Sequence, residues 1–331
     1  MNRLLHWHPV ALPGEIKKDP FPFQLDGKQF VLFRTVSGQF GAMPRACPHR
    51  RADLASGKVR GEELLCSYHG WGFQPTGAIR SPGNPSLAQR AECLEVTERY
   101  GALWVRARSA HTAFPKLDFN GFVPTGVYRH RVAAPLQLVL DNFVEVEHTS
   151  FVHALLGYAA ADLASVEVAM STGNDWVRVV NQGRQRKLPL PIRAAFGIGV
   201  TDTFVDDWTT YFSPIYSVYD HYWLSPEGSR RENALRTFVF FNPIDDQNCE
   251  LWSFAAASSR WLKLPLLRHG LRGLLRLSLE LEVRLDRRQL ESLADKNTSM
   301  RGMKLGRFDK VMWETRTRVA SIYNQTPGEA G

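Results

Sequence analysis

The residues whose types and spacing could do chemistry fall into two groups. The first is Cys47-Pro48-His49, followed seventeen residues after His49 by Cys66-Ser67-Tyr68-His69. Each half offers one thiolate and one imidazole. Two irons bridged by two sulfides need two protein ligands each. Both cysteines on one iron and both histidines on the other satisfy that count. Neutral imidazole in place of thiolate removes negative charge and raises the reduction potential. A zinc site with the same four donors is chemically allowed. Zinc fingers, however, usually pair Cys with Cys and His with His in a small helical domain. Here each half mixes the two in a β-rich stretch, so a [2Fe–2S] cluster is the expectation. Cys93 and Cys249 lack such neighbours and read as small buried residues.

The second group lies in residues 141–153, DNFVEVEHTSFVH. His148 and His153 are five apart, and Glu145 is three before His148, on the same face of a helix. Five residues exceed one regular turn, so a widened turn or a helix end is expected between the histidines. Two imidazoles and one carboxylate on one side of an iron leave the other side open to O₂ and substrate. The bland alternative is two unrelated histidines on a helix flank.

These groups need elements to position them. Residues 29–36 (QFVLFRTV), 62–73 and 101–107 (GALWVRA) read as strands, with Pro and Gly recurring between. The first third is thus a small all-β domain. A looser stretch from Arg108 to Pro124 holds the boundary, giving domains 1–115 and 116–331. Residues 136–156 have apolar residues at helical spacing, 163–180 and 203–256 return to strand patterns, and the last 70 residues read as helical. The second domain is therefore α+β. Residues 181–200, with two prolines, three glycines and several basic residues, read as a mobile loop, either a cover for the active site or plain surface. Phe204, Tyr211, Phe238 and Phe240 read as core rather than pocket.

The 331 residues carry a net charge of +8 and only four cysteines. No signal-peptide core and no long apolar span is present, so the cytoplasm is the expected compartment. A basic surface suits nucleic acid, anionic lipid or an acidic protein, but no nucleic-acid-binding motif is seen. Arg268, Arg272 and Arg276 form a stripe in the Leu- and Arg-rich segment 261–285. It reads first as a solvated helix face, then as a dock for an acidic partner, and last as a membrane contact. No GxGxxG follows a strand, so the chain has no nicotinamide or flavin motif.

The stretches CPHRRADLASGKV and CSYHGWGFQPTGAI resemble the two ligand loops of a Rieske domain, and ERYGALWV resembles its closing strand. With the paired histidines, the whole pattern resembles the large subunit of the Rieske non-haem iron oxygenases, in the demethylase and monooxygenase branch. The resemblance implies a helix-grip (START-like) catalytic domain with an antiparallel sheet, carrying Fe(II). It implies cluster ligands Cys47, His49, Cys66 and His69, and iron ligands His148 and His153. The third ligand is implied by residues 285–292, LDRRQLES, which resemble an Asp-Lys-x-x-x-Glu segment. Asp286 is the match, Arg287 stands where Lys is common, Glu291 ends the segment, and Glu282 is the competitor. Glu145 matches an acidic residue that bridges an iron histidine to a cluster histidine of the neighbouring subunit. The family usually has Asp there, so the longer side chain must fold back or shift the geometry. Asp141 matches an outer polar position. A head-to-tail homotrimer is implied, fed by NAD(P)H through a separate reductase, with or without a ferredoxin.

The leading expectation is hydroxylation or oxidative dealkylation of a small cyclic molecule by O₂. The nearest rival is a ring cis-dihydroxylating dioxygenase. A pure electron carrier and a sterol- or lipid-binding protein are the rivals from other classes.

Overall fold

The computed structural model describes residues 3–153 and 155–323. The chain forms two units, one of residues up to Pro115 with Asn242–Asp246, the other of Lys116–Phe241 and the residues from Gln247 on.

The first unit has two sheets. Six strands lie in the order His8–Ala11, Ala102–Ala107, Leu94–Arg99, Phe40–Pro44, Lys28–Arg34 and Phe21–Leu25. Four short ones lie in the order Lys58–Arg60, Glu63–Leu65, Gly72–Phe73 and Ile79–Arg80. Strand Lys28–Arg34 explains how they stack. Successive side chains on a strand point to opposite faces. Phe30 and Leu32 join one apolar cluster, while Val31 and Phe33 join another that also holds Leu54, Leu64, Cys47 and Cys66. The paired cysteines thus stand on an apolar floor. Gly41 lets this layer close, because a Cβ there would sit 2.6 Å from Phe33 Cζ. Residues 62–73 are not one strand: a turn carrying Cys66 to Gly70 interrupts them. Residues 242–246 return to this unit. Asn242 donates to Pro9 O at 2.6 Å, and the backbone N–H groups of Asp26 and Gly27 donate to the carbonyls of Pro243 and Ile244.

The second unit is a seven-stranded, mostly antiparallel sheet with helices. Its order is Val123–Val132, Cys249–Ser258, Arg230–Pro243, Ile215–Leu224, Thr203–Phe212, Trp176–Arg184 and Glu167–Thr172. Its helices are α1 (Leu136–Phe143), α2 (Thr149–Val152), α3 (Leu190–Phe196), α4 (Pro265–Glu291) and α5 (Lys310–Tyr323). The long α4 packs against strand Val123–Val132 and against α1 and α2. This is an α+β chain with a helix-grip second unit, as expected.

Three local expectations change. The helix read over 136–156 is two short helices with a break, and Ala154 lies outside the described residues. The segment 181–200 is the end of a strand, through Arg184, and then α3, which Pro189 starts and the left-handed Gly197 ends. On α4, Arg272 donates to Pro124 O at 2.8 Å and Arg276 lies over the Tyr128 ring, so these two grip the sheet. The Arg268 side chain lies outside the described residues.

Candidate functional site

The two Cys/His loops of the first unit are built alike. The Cys47 N–H donates to Ala52 O and the Arg51 N–H donates back to Cys47 O, both at 2.8 Å. In the second loop the Cys66 N–H donates to Trp71 O at 2.8 Å, and the Gly70 N–H to Cys66 O at 3.1 Å. Each turn closes on a left-handed residue four beyond its cysteine, Arg51 at φ 60° and Gly70 at φ 68°. Cys47 and Cys66 are buried side by side, while His49 and His69 are exposed. Burial, first, and then the neighbouring Cys66 push the Cys47 thiol up. The two imidazoles meet edge to face at 4.7 Å, and Trp71 stacks on His49 at 4.4 Å. Among the described residues, only one set of three such donors lies within 4.8 Å of one another, and it lies elsewhere. Two thiolates inside and two imidazoles outside fit a two-iron cluster.

That one set is His148, His153 and Asp286 in the second unit. Helix α1 stops at Val144, within the β-branched Val144-Glu145-Val146 stretch. Glu145 then folds back, its Oε2 accepting the Glu147 N–H at 2.6 Å and the His148 N–H at 3.2 Å. Its side chain thus caps the next turn. Five residues on a regular helix would put the two histidines about 140° apart. They converge because His148 precedes α2 and His153 leaves it in extended backbone, φ −91°, ψ 155°. Arg186 fixes that exit by donating to the carbonyls of Thr149, His153 and Tyr158. Asp286 arrives from α4.

His148 Nε2 and His153 Nε2 are 3.2 Å apart, and Asp286 Oδ1 lies 3.3 and 3.1 Å from them. Three ligands at right angles, each ~2.1 Å from one ion, are ~3.0 Å apart. Each outer ring nitrogen faces a carboxylate. His148 Nδ1 pairs with the Glu145 carboxylate and His153 Nδ1 with that of Glu282. A carboxylate on Nδ1 leaves Nε2 free to bind metal. Asn142 donates to Asp286 Oδ1 at 3.2 Å. The site thus has three inner donors, each with an outer partner. Burial alone would lower both histidines and raise Asp286. Against this, the hydrogen bonds and charges of Asp286 and Glu145 lift His148 to about 10. Asp286 and Glu282 lift His153 to about 9, and the two rings hold Asp286 at about 2.

Glu282 is therefore placed on a histidine rather than inside the triad. Asp141 is also placed apart: it is buried against Arg316 and accepts from Gln137 Nε2 at 3.0 Å, and it does not line the cavity. Sequence reasoning missed Asn142, its neighbour, which does. Glu291 pairs with Arg287 at 3.1 Å and also takes no place in the cavity.

The triad opens on a cavity of about 250 Å³ between α4, the sheet and α3. Its walls include Phe143, Ile192, Phe196, Phe204, Trp208 and Trp223. Phe204, read as core, faces the cavity, whereas Tyr211, Phe238 and Phe240 do not.

A profile of the Rieske [2Fe-2S] domain matches residues 6–93, and one of the vanillate O-demethylase oxygenase C-terminal domain matches residues 132–268. The chain belongs to the Rieske non-haem iron oxygenases. Its Rieske domain is of the kind that binds a [2Fe–2S] cluster. A 5,5'-dehydrodivanillate O-demethylase oxygenase subunit of Sphingobium sp. is 47% identical over 81 residues, 24% of this chain and 19% of that protein. A vanillate O-demethylase oxygenase subunit of Pseudomonas sp. is 31% identical over 158 residues, 45% of this chain and 44% of that protein. This Rieske oxygenase thus spans less than half the length of these curated relatives in its matches. The structure of dicamba monooxygenase bound to 3,6-dichlorosalicylic acid shares the fold, with TM-score 0.81 at 17% identity over 96% of this chain and 97% of that one. Among the described residues, no helix is long and apolar enough to cross a membrane.

Proposed function

We propose that this chain is the oxygenase component of a multi-component system that hydroxylates or oxidatively dealkylates a small organic substrate. One observation carries the reading: in a chain with a Rieske domain, His148, His153 and Asp286 meet at the wall of an apolar cavity. Cys47, Cys66, His49 and His69 would hold the cluster, and the triad would hold Fe(II). When bound, these groups supply single electrons and O₂ activation. The protein's own residues do the rest. Glu145 and Glu282 hold a proton at each Nδ1 and so aim both Nε2 lone pairs inward. Asn142 orients Asp286. Arg186 fixes the turn, and Asp141 with Arg316 ties α1 to α5. The aromatic walls exclude water.

The exposed His49 and His69 support a head-to-tail homotrimer, in which His69 of one subunit would face Glu145 of the next. That pairing would give a path from His69 through Glu145 to His148. A reductase drawing on NAD(P)H, alone or through a ferredoxin, would supply the electrons. The four cysteines, all buried and unbridged, suit the cytoplasm.

The test is metal and sulfide analysis of anaerobically purified protein, alongside His153→Ala. The variant should lose mononuclear iron and turnover while keeping the visible spectrum of the cluster. Unchanged function would leave only an electron carrier. Labelled O₂ then separates one oxygen in the product from two.

A further inference from the structure

We propose that the cavity selects an uncharged, ring-shaped substrate carrying a hydrogen-bond donor, which it binds at Asp206, and that it rejects carboxylates. The inference deepens the oxygenase reading and rests on it.

Away from the triad, strand Thr203–Phe212 turns Asp206 and Trp208 to the cavity on one face, two residues apart. His221 stands directly across from Asp206 in the neighbouring strand. Its Nε2 lies 3.0 Å from Asp206 Oδ1. The two form a buried ion pair, but Oδ1 makes no aligned hydrogen bond within it. The buried indole N–H of Trp208 has no hydrogen-bond partner either. A buried acceptor and a buried donor are costly to leave without partners. Side by side on a cavity wall, they form a docking point for a group that can both donate and accept, such as a hydroxyl or N–H beside a ring.

Charge sets the rest of the choice. Four carboxylates line the cavity, Glu145, Asp206, Glu282 and Asp286, against three histidines. Among the described residues lining it there is no lysine or arginine, although the whole chain carries +8. A substrate carboxylate would find no guanidinium or ammonium and would face Asp206. Anion recognition ordinarily uses such a cation. A phenol-like or amide-like donor instead gives the Asp206 carboxylate an aligned hydrogen bond beside its ion pair with His221.

The test is isothermal titration of the iron-loaded full chain, without oxygen or reductant, with three probes of similar size: 2-methoxyphenol, methoxybenzene and 2-methoxybenzoate. The phenol should bind about ten-fold tighter than methoxybenzene, and the benzoate weakest, since a hydrogen bond to a charged group discriminates on this scale. Asp206→Asn should weaken the phenol about ten-fold and leave methoxybenzene unchanged. Asp206→Ala is the second variant, and the wild-type order needs no variant at all. Tightest binding by the benzoate, equal binding of phenol and methoxybenzene, no binding of the phenol, or an unchanged ratio in the Asp206 variants each overturns the proposal. Failure of the oxygenase reading would appear separately, as missing iron or acid-labile sulfide whatever the binding order.

Discussion

The two candidate metal sites solve one problem in opposite ways. The Cys/His loops are local: each closes on its own backbone within five residues, with the thiols buried and the imidazoles at the surface. The His148, His153 and Asp286 site is assembled from α2, α4 and the end of α1, and its ligands are separated by up to 138 residues. Its histidines are each held from behind by an acid. The site that exposes its imidazoles is made rigid by its backbone. A site that must open to substrate is made rigid by side chains around it.

That contrast can be broken most sharply by removing one inner donor. Asp286→Ala should abolish mononuclear iron and cut turnover by more than about 10³-fold, because two imidazoles alone hold iron poorly. The cluster spectrum should stay intact, and loss of both metals together would contradict two independently built sites. Cys66→Ser should do the reverse, removing the cluster and leaving iron at the triad.

The pH dependence of iron uptake should be steep. His148 and His153 are raised to about 10 and 9, so without iron both carry protons at neutral pH. Fe(II) must displace them. Affinity should therefore rise with pH, by up to about a hundred-fold per unit near neutrality, and level off above pH 10. Anaerobic titrations at pH 6.5, 7.5 and 8.5 check the slope, and a flat profile would mean the rings are already neutral.

Smaller effects should follow from the outer partners. Glu145→Gln or Glu282→Gln should lower iron affinity or activity 10- to 100-fold, measured by iron competition with a chelator. An effect below two-fold would show that the acids do not orient the rings. The smallest change probes the cluster loops. Gly70→Ala meets nothing closer than Pro82 Cγ at 3.6 Å, so it pays only for its left-handed backbone. It should cost about 1–2 kcal/mol, and Arg51→Gly at the matching position of the other loop should return about 1 kcal/mol. Thermal unfolding measures both.

Legibility in the sequence follows the same division. The cluster loops could be read because their ligands and turn residues are neighbours in the chain. The strands 28–34 and 102–107 could be read because a short apolar run bounded by turn residues is a local pattern. The paired histidines, and a helix end between them, were visible by spacing, but not the break after Val144 that sets His148 at the start of α2. That break depends on Glu145 capping a turn and on Arg186, which is 33 residues beyond His153. Asn142 was hidden beside the more conspicuous Asp141, since only the helix phase decides which of the two faces the cavity. The Asp206 and His221 pair depends on strand register, which no composition discloses. Helix α3 was masked by the glycines and prolines that begin and end it.

The return of residues 242–246 to the first unit has a consequence for how the chain can be divided. Asn242, Pro243 and Ile244 complete hydrogen bonds that Pro9, Asp26 and Gly27 cannot complete themselves. A fragment cut after Pro115 would leave a backbone edge unpaired and the buried His8 without its Asn242 contact. The iron–sulfur unit is thus discontinuous in the chain, completed by five residues from Asn242 to Asp246, and a single cut after Pro115 does not release all of it.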